Sequence, residues 1–169
     1  MKKLLFPGLL VLAFVGCASN AQVEVGLIDE ALVGRAPLGN LYMRVLKIEL
    51  PVNGDYTSIW EGTKPVSVAI QNGTFASITD TKVDVAPDRY KTIRITVDSL
   101  CFMNGTDSTL LVGGTIQFVA EAFTEIIVSD GDELTFSINI VSQNWFDPDS
   151  QKIITNHDPF EGASLKLRY

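Results

Sequence analysis

Apolar residues recur at every second position through most of this chain, and that period limits the fold more than any other feature. Ile93, Ile95, Val97 and Ser99 alternate with Arg94, Thr96 and Asp98. Val23, Val25 and Leu27 alternate with Gln22, Glu24 and Gly26, and Leu46, Ile48 and Leu50 with Lys47 and Glu49. Val66, Val68 and Ile70 repeat the pattern, as do Leu134, Phe136, Ile138 and Ile140. A two-residue period places one set of side chains on each face of a strand, so these segments read as strands with one buried face. Turn chemistry separates them: Pro51 with Asn53-Gly54-Asp55, Asn72-Gly73, Asn104-Gly105 and Asp130-Gly131-Asp132. Asn-Gly supplies the positive φ that tight hairpins need. No stretch sustains a helical period over three turns; residues 28–34 and 150–156 have room for one short turn of helix each.

Leu110 to Val112, Ile116 to Val119, Thr124 to Val128 and Ser164 to Tyr169 complete the candidate strands. About eight to ten short strands without βαβ spacing predict a single antiparallel β-sandwich, with a closed barrel as the alternative. Neither an internal repeat nor a low-complexity linker divides the chain, so one domain is expected over residues 22–169. Tyr90, after Pro87-Asp88-Arg89, resembles the corner tyrosine that ties a loop to a sandwich. Cys101, in phase with Ile93, Ile95 and Val97, is expected to be a small core residue.

The first residues follow a different logic. Met1-Lys2-Lys3 is basic, Leu4 to Val15 is almost wholly apolar, and Gly16 is a small residue before Cys17. This is the pattern of an export signal, shorter than the roughly 20 residues that span a bilayer and interrupted by Pro7 and Gly8. Phe14-Val15-Gly16-Cys17 resembles the lipobox of bacterial lipoproteins, with Phe14 where Leu is usual. The resemblance implies a signal peptide over residues 1–16, a lipid on Cys17 and a tether over residues 17–21. The alternatives are plain secretion with cleavage near Ala18 or Ala21, and a retained anchor. Cleavage before Cys17 removes Lys2 and Lys3, the only charges in that segment, and takes the formal charge from −7 to −9. Such acidity excludes nucleic acid as a partner, since its binding rests on neutralising phosphates. It also opposes electrostatic docking on anionic lipid, so the membrane is reached through the lipid on Cys17. The absence of an acidic residue in Ala18-Ser19 leans towards the outer membrane, facing the periplasm or the exterior.

Several segments are similar to a family of exported bacterial lipoproteins with an uncharacterised, prealbumin-like (carbohydrate-binding-like) β-sandwich domain. They are Val23-Glu24-Val25-Gly26-Leu27-Ile28-Asp29, the strand Tyr42 to Leu50, and Trp60 ahead of Pro65-Val66-Ser67-Val68. Gln71-Asn72-Gly73-Thr74 and the run from Pro87-Asp88-Arg89-Tyr90 to Asp98 follow. The resemblance spans about residues 22–142 and implies an immunoglobulin- or prealbumin-like sandwich at the cell surface. That family carries no established activity, so it transfers no functional residues.

The candidate sites are therefore read from residue chemistry. Trp145, Trp60 and Tyr56 are candidates for stacking on a glycan or a protein partner. Trp145 leads, because adjacent Trp145 and Phe146 would face opposite ways in a strand and leave one exposed or covered only by the irregular loop. Asp147 and Asp149 offer alternating oxygens for calcium near His157 and Glu161, but without the glycine turn and distal glutamate of a calcium loop. A solvated acidic loop explains the same residues. No Gly-x-Ser-x-Gly elbow accompanies the single histidine, and no cofactor motif occurs. The expected function is a non-catalytic, membrane-anchored envelope module binding a glycan or a protein. The alternatives are an assembly subunit joined by strand edges and a hydrolase using a carboxylate pair.

Overall fold

The computed structural model describes residues 19–30 and 38–168. Cys17 and the expected signal peptide lie outside the described residues, as do residues 31–37 and Tyr169. The described chain is all-β. Its strands are β1 (Ala21–Ile28), β2 (Asn40–Val52), β3 (Asp55–Ala69), β4 (Ala76–Ser77), β5 (Val83–Val85) and β6 (Asp88–Asn104). They continue with β7 (Asp107–Val128), β8 (Glu133–Asn139), β9 (Phe146–Asp147), β10 (Lys152–Ile153) and β11 (Ser164–Arg168). One 3-10 turn, Ser142–Asn144, precedes β9; residues 150–156 hold no helix.

One sheet runs in the order β3-β2-β6-β7-β11-β8-β1-β4, with β5 also on β1, and nearly closes into a barrel. The Lys64–Asp80 ion pair bridges the two ends of that order. The sheet is mixed rather than antiparallel throughout: β1 runs parallel to β8, and β11 parallel to β7. The reason is topological. β7 and β8 are joined by a tight turn and run in opposite directions, and β11 inserts between them. A strand placed between antiparallel neighbours must be parallel to one of them.

Two hairpins follow the turn chemistry. Asn53 and Gly54 both take positive φ between Val52 and Asp55, and Gly105 has φ 61° between Asn104 and Asp107. The three candidate strands between Leu110 and Val128, however, form one continuous 22-residue strand, β7. Gly113-Gly114 makes a bend inside the ladder, with Gly114 at φ 95°. Glycine inside a strand marks a bulge as readily as a turn.

Bulges also reset the faces. Ser99 has φ 58°, and the β6–β7 register shifts on either side of Leu100. Leu100 and Phe102 therefore enter the core, and Cys101 turns outward, half-buried, its thiol 3.5 Å from the Ser99 carbonyl. The core placement expected for Cys101 is thus corrected. A second shift between Val45 and Lys47 leaves Leu46 only half-buried while Ile48 and Leu50 stay in the core. Tyr90 is buried, and its hydroxyl donates to the Ala86 carbonyl at 2.8 Å, tying the β5–β6 corner to the sheet. Burial, and then the charge of Asp88, raises its phenol pKa.

Candidate functional site

The three aromatic candidates are engaged within the fold. Trp145 is fully buried, so of the two expected arrangements the exposed one is corrected. It follows the 3-10 turn rather than lying in a strand, so strand alternation does not apply. β9 and β10 fold back over it, with the Ile154 amide donating to the Trp145 carbonyl at 2.8 Å. Trp60 continues an inward row across the sheet, opposite Ile48, then Ile95 and Phe118. Its half-buried ring lies over Gly62, where a Cβ would sit 2.8 Å from it. Tyr56 faces outward, but the Arg94 guanidinium stands 4.1 Å from its ring centroid and Thr92 meets its hydroxyl at 3.1 Å. Trp145 thus has no exposed surface, Trp60 is half-buried, and one face of Tyr56 is taken by Arg94.

Arg94 belongs to an ionic cluster on the same outer face. Its Nε and Nη2 donate to the two carboxylate oxygens of Glu49 at 2.8 and 2.9 Å, and Lys47 lies 3.0 Å from Glu49. The fork-on-fork contact with Arg94 holds Glu49 below the usual carboxylate pKa, with Lys47 adding to the effect against desolvation. A depressed folded-state pKa contributes stability above the unfolded value near 4.5, lost as pH falls through the folded value. In urea unfolding at several pH values, Glu49→Gln is expected to be less stable than the parent at pH 7. That gap narrows as the pH drops below 4.5. A gap independent of pH would assign Glu49 a packing role instead.

In the acidic loop, the Asp147 carboxylate accepts from the Asp149 amide at 3.0 Å and the Ser150 hydroxyl at 2.6 Å. The Ser150 bond comes first among the causes that lower its pKa. Its oxygens thus close a local turn. His157 Nδ1 and Glu161 Oε2 lie 2.7 Å apart on an exposed stretch. Among the described residues, no group of three His, Cys, Asp or Glu side chains is placed to hold a metal ion.

Exposed large apolar side chains lie elsewhere on β7: Leu110 on its first half, and a group of three on its second half. Phe123 is 98% exposed and Ile127 56%, with Val119 also exposed on the same face. A bulge presents them. Tyr90 pairs with Ile126 and Thr92 with Glu121, so the four residues Ala122 to Glu125 stand opposite Lys91 alone. The Lys91 ammonium fills that gap, donating to the carbonyls of Ala122 and Phe123, the latter at 3.0 Å. The excess backbone has to bow outward, carrying Phe123 into solvent. Bulges of this kind re-aim side chains and end strand pairing.

Pairing does end there. β11 meets β7 only at Ser164–Glu121 and Leu165–Ala122. Beyond them the strands part around a groove of 540 Å³ walled by Phe123, Ile126 and Ile127 on one side and Leu165 and Leu167 on the other. Charged side chains flank the ledge in two columns. Arg89 and Lys91 stand on β6 and Glu121 and Glu125 on β7, paired at 3.7 Å (Arg89–Glu125) and 3.4 Å (Lys91–Glu121).

The sequence reading passed over Phe123, although a signal was present. Ala120, Ala122, Ile126 and Val128 form one apolar phase, and Val119, Phe123 and Ile127 recur in the other between Glu121 and Glu125, so this strand carries large apolar residues on both faces. Among the described residues, no helix is long and apolar enough to cross a membrane. Compared with protein-family models, with curated proteins and with solved structures, the chain matches none.

Proposed function

We propose that this chain is an exported envelope protein anchored by a lipid on Cys17, and that its β-domain is a non-catalytic module binding a protein partner through the Phe123–Ile127 ledge. The observation that carries the binding half is the exposure of Phe123 and Ile127 on a bulge held in place by Lys91. An aromatic side chain kept wholly in water is unfavourable for an isolated domain and typical of the centre of a contact surface. A protein partner is favoured over a glycan because Trp145 is buried, Trp60 belongs to an inward row and Arg94 covers Tyr56. A hydrolytic carboxylate pair finds less support, since the two buried carboxylates among the described residues, Asp29 and Glu49, are each engaged by several donors.

The anchor reading draws on the sequence, and on β1 beginning at Ala21, only a few residues past Cys17. Labelled fatty acid is expected to enter the wild-type chain and to be lost from Cys17→Ser; equal labelling of both removes the anchor. For the binding half, p-benzoylphenylalanine in place of Phe123, in cells making the full chain, is expected to give a discrete protein adduct on irradiation. The same group in place of exposed Gln117, farther up β7, is the control. No adduct at position 123, or equal adducts at both positions, removes the binding reading.

A further inference from the structure

We propose that the outer face of β6 and β7 around Phe123 is the interface of an isologous dimer, its partner being a second copy of this chain. Arg89 and Lys91 on β6 run beside Glu121 and Glu125 on β7, and all four side chains are well exposed, from 42% to 66%. The Arg89–Glu125 pair within one copy is long and solvated, and such pairs are weak. Arg89 and Glu125 are therefore free to exchange partners, while the Lys91 ammonium stays on the Ala122 and Phe123 carbonyls.

A two-fold axis can relate two such faces in three ways. An axis along the strands, between the columns, lays β6 of one copy over β7 of the other. Arg89 of each copy then meets Glu125 of the other, so the basic column faces the acidic column twice, with Phe123 beside the guanidinium of the second copy, a favourable cation–aromatic arrangement. An axis in the interface but across the strands sets β7 on β7, with Glu121 and Glu125 against the same carboxylates, which opposes association. An axis normal to the sheet joins edges and leaves the columns unmatched. Charge complementarity therefore selects the axis along the strands.

The N-terminal end of the domain selects the same axis, and this step rests on the lipid-anchored reading. Ser19 lies beside Gly131 in the turn after β7, and the Gln22 amide donates to the Asp132 carbonyl at 2.7 Å. The tether thus leaves from the end of the barrel where β7 finishes. An axis along the strands keeps both tethers at one end, so both Cys17 lipids enter one bilayer. Either other axis sends them to opposite ends.

The test uses full-length chains carrying two different tags, made in the same cells and extracted from the envelope in mild detergent. Wild-type copies are expected to co-isolate. Phe123→Asp, Arg89→Glu alone and Glu125→Lys alone should each lower recovery about tenfold, as loss of a central contact or a like-charge pair does. An Arg89→Glu copy made together with a Glu125→Lys copy should recover wild-type co-isolation, because opposite charges then face each other at both contacts. That rescue also shows that both variants fold. Wild-type copies that do not co-isolate, a Phe123→Asp chain that associates normally, or a charge-swapped pair that stays apart would each overturn the dimer. A position-123 photo-adduct with the mass of another protein overturns it too while sparing the binding module; a lipid adduct assigns the ledge to the bilayer. Fatty-acid labelling that persists in Cys17→Ser refutes the anchor and leaves the charge-swap result to be read on its own.

Discussion

Trp145→Ala is expected to lower the free energy of unfolding by about 3–5 kcal/mol, the range for deleting a large aromatic side chain from a packed interior. Trp145 has no exposed surface, and its ring packs against Phe146 and Phe160 with centroids 6.1 and 5.1 Å away. Phe160 in turn stacks on Phe118 of β7 at 4.1 Å, and Phe146 meets Phe102 of β6 at 4.9 Å. These rings fasten the segment after β8 to the barrel. The indole Nε1–H donates to the Ile140 carbonyl at 2.9 Å. Trp145→Phe keeps an aromatic ring but leaves that carbonyl without the indole donor, and should cost less, about 1–3 kcal/mol. Denaturant unfolding of both variants measures the order. A change in Trp145→Ala within about 0.5 kcal/mol, as at an exposed site, would mean that the ring is not buried in solution.

Trp145 also marks where sequence reasoning lost its grip. Alternation correctly identified strand after strand, because a half-buried strand has to show its period locally. It failed at Trp145 because the left-handed Val141 (φ 46°) and the 3-10 turn interrupt the strand, and the side that a side chain takes after such a turn is set by distant packing. Cys101 failed for a related reason. One residue of positive φ at Ser99 inverts the phase of everything after it, and an ordinary serine gives no local warning. The mixed sheet was illegible as well, since β11 enters between β7 and β8 from far along the chain.

The candidate site was partly legible. Both faces of the segment from Val119 to Val128 carry large apolar residues, the outer one between Glu121 and Glu125, an excess that a strand with one wet face does not need. The bulge that exposes Phe123 could not be read, because it depends on the lengths of β6 and β7 between two pairing points. Lys91 reads in sequence as one more outward cation. Only the structure brings its ammonium to the carbonyls of Ala122 and Phe123.

Asp29→Ala is the second substitution with a large expected effect, a loss of about 3–4 kcal/mol. The Asp29 carboxylate is 2% exposed and stands where β1 ends. It accepts from the Gln71 amide at 2.8 Å, from the Ser142 amide at 3.0 Å and from the Ser142 hydroxyl. One side chain thus joins the end of β1 to the segment after β3 and to the 3-10 turn ahead of Trp145. Gln71 sits in the left-handed region at φ 52°, a conformation that a non-glycine residue holds only when its surroundings fix it. Removing the carboxylate leaves two buried amides and a hydroxyl without their acceptor, each a desolvated donor that water cannot readily reach. Asp29→Asn keeps one carbonyl oxygen and should recover about half of the loss, whereas the isosteric Asp29→Leu should recover none. Because Ser142 begins the turn that carries Trp145 into the core, Asp29→Ala and Trp145→Ala should not be additive. The double variant is expected to lose at least 0.5 kcal/mol less than the two single losses together, the scale of coupling between residues in one network. Full additivity in denaturant unfolding would mean that the Asp29 clamp and the Trp145 anchor act independently.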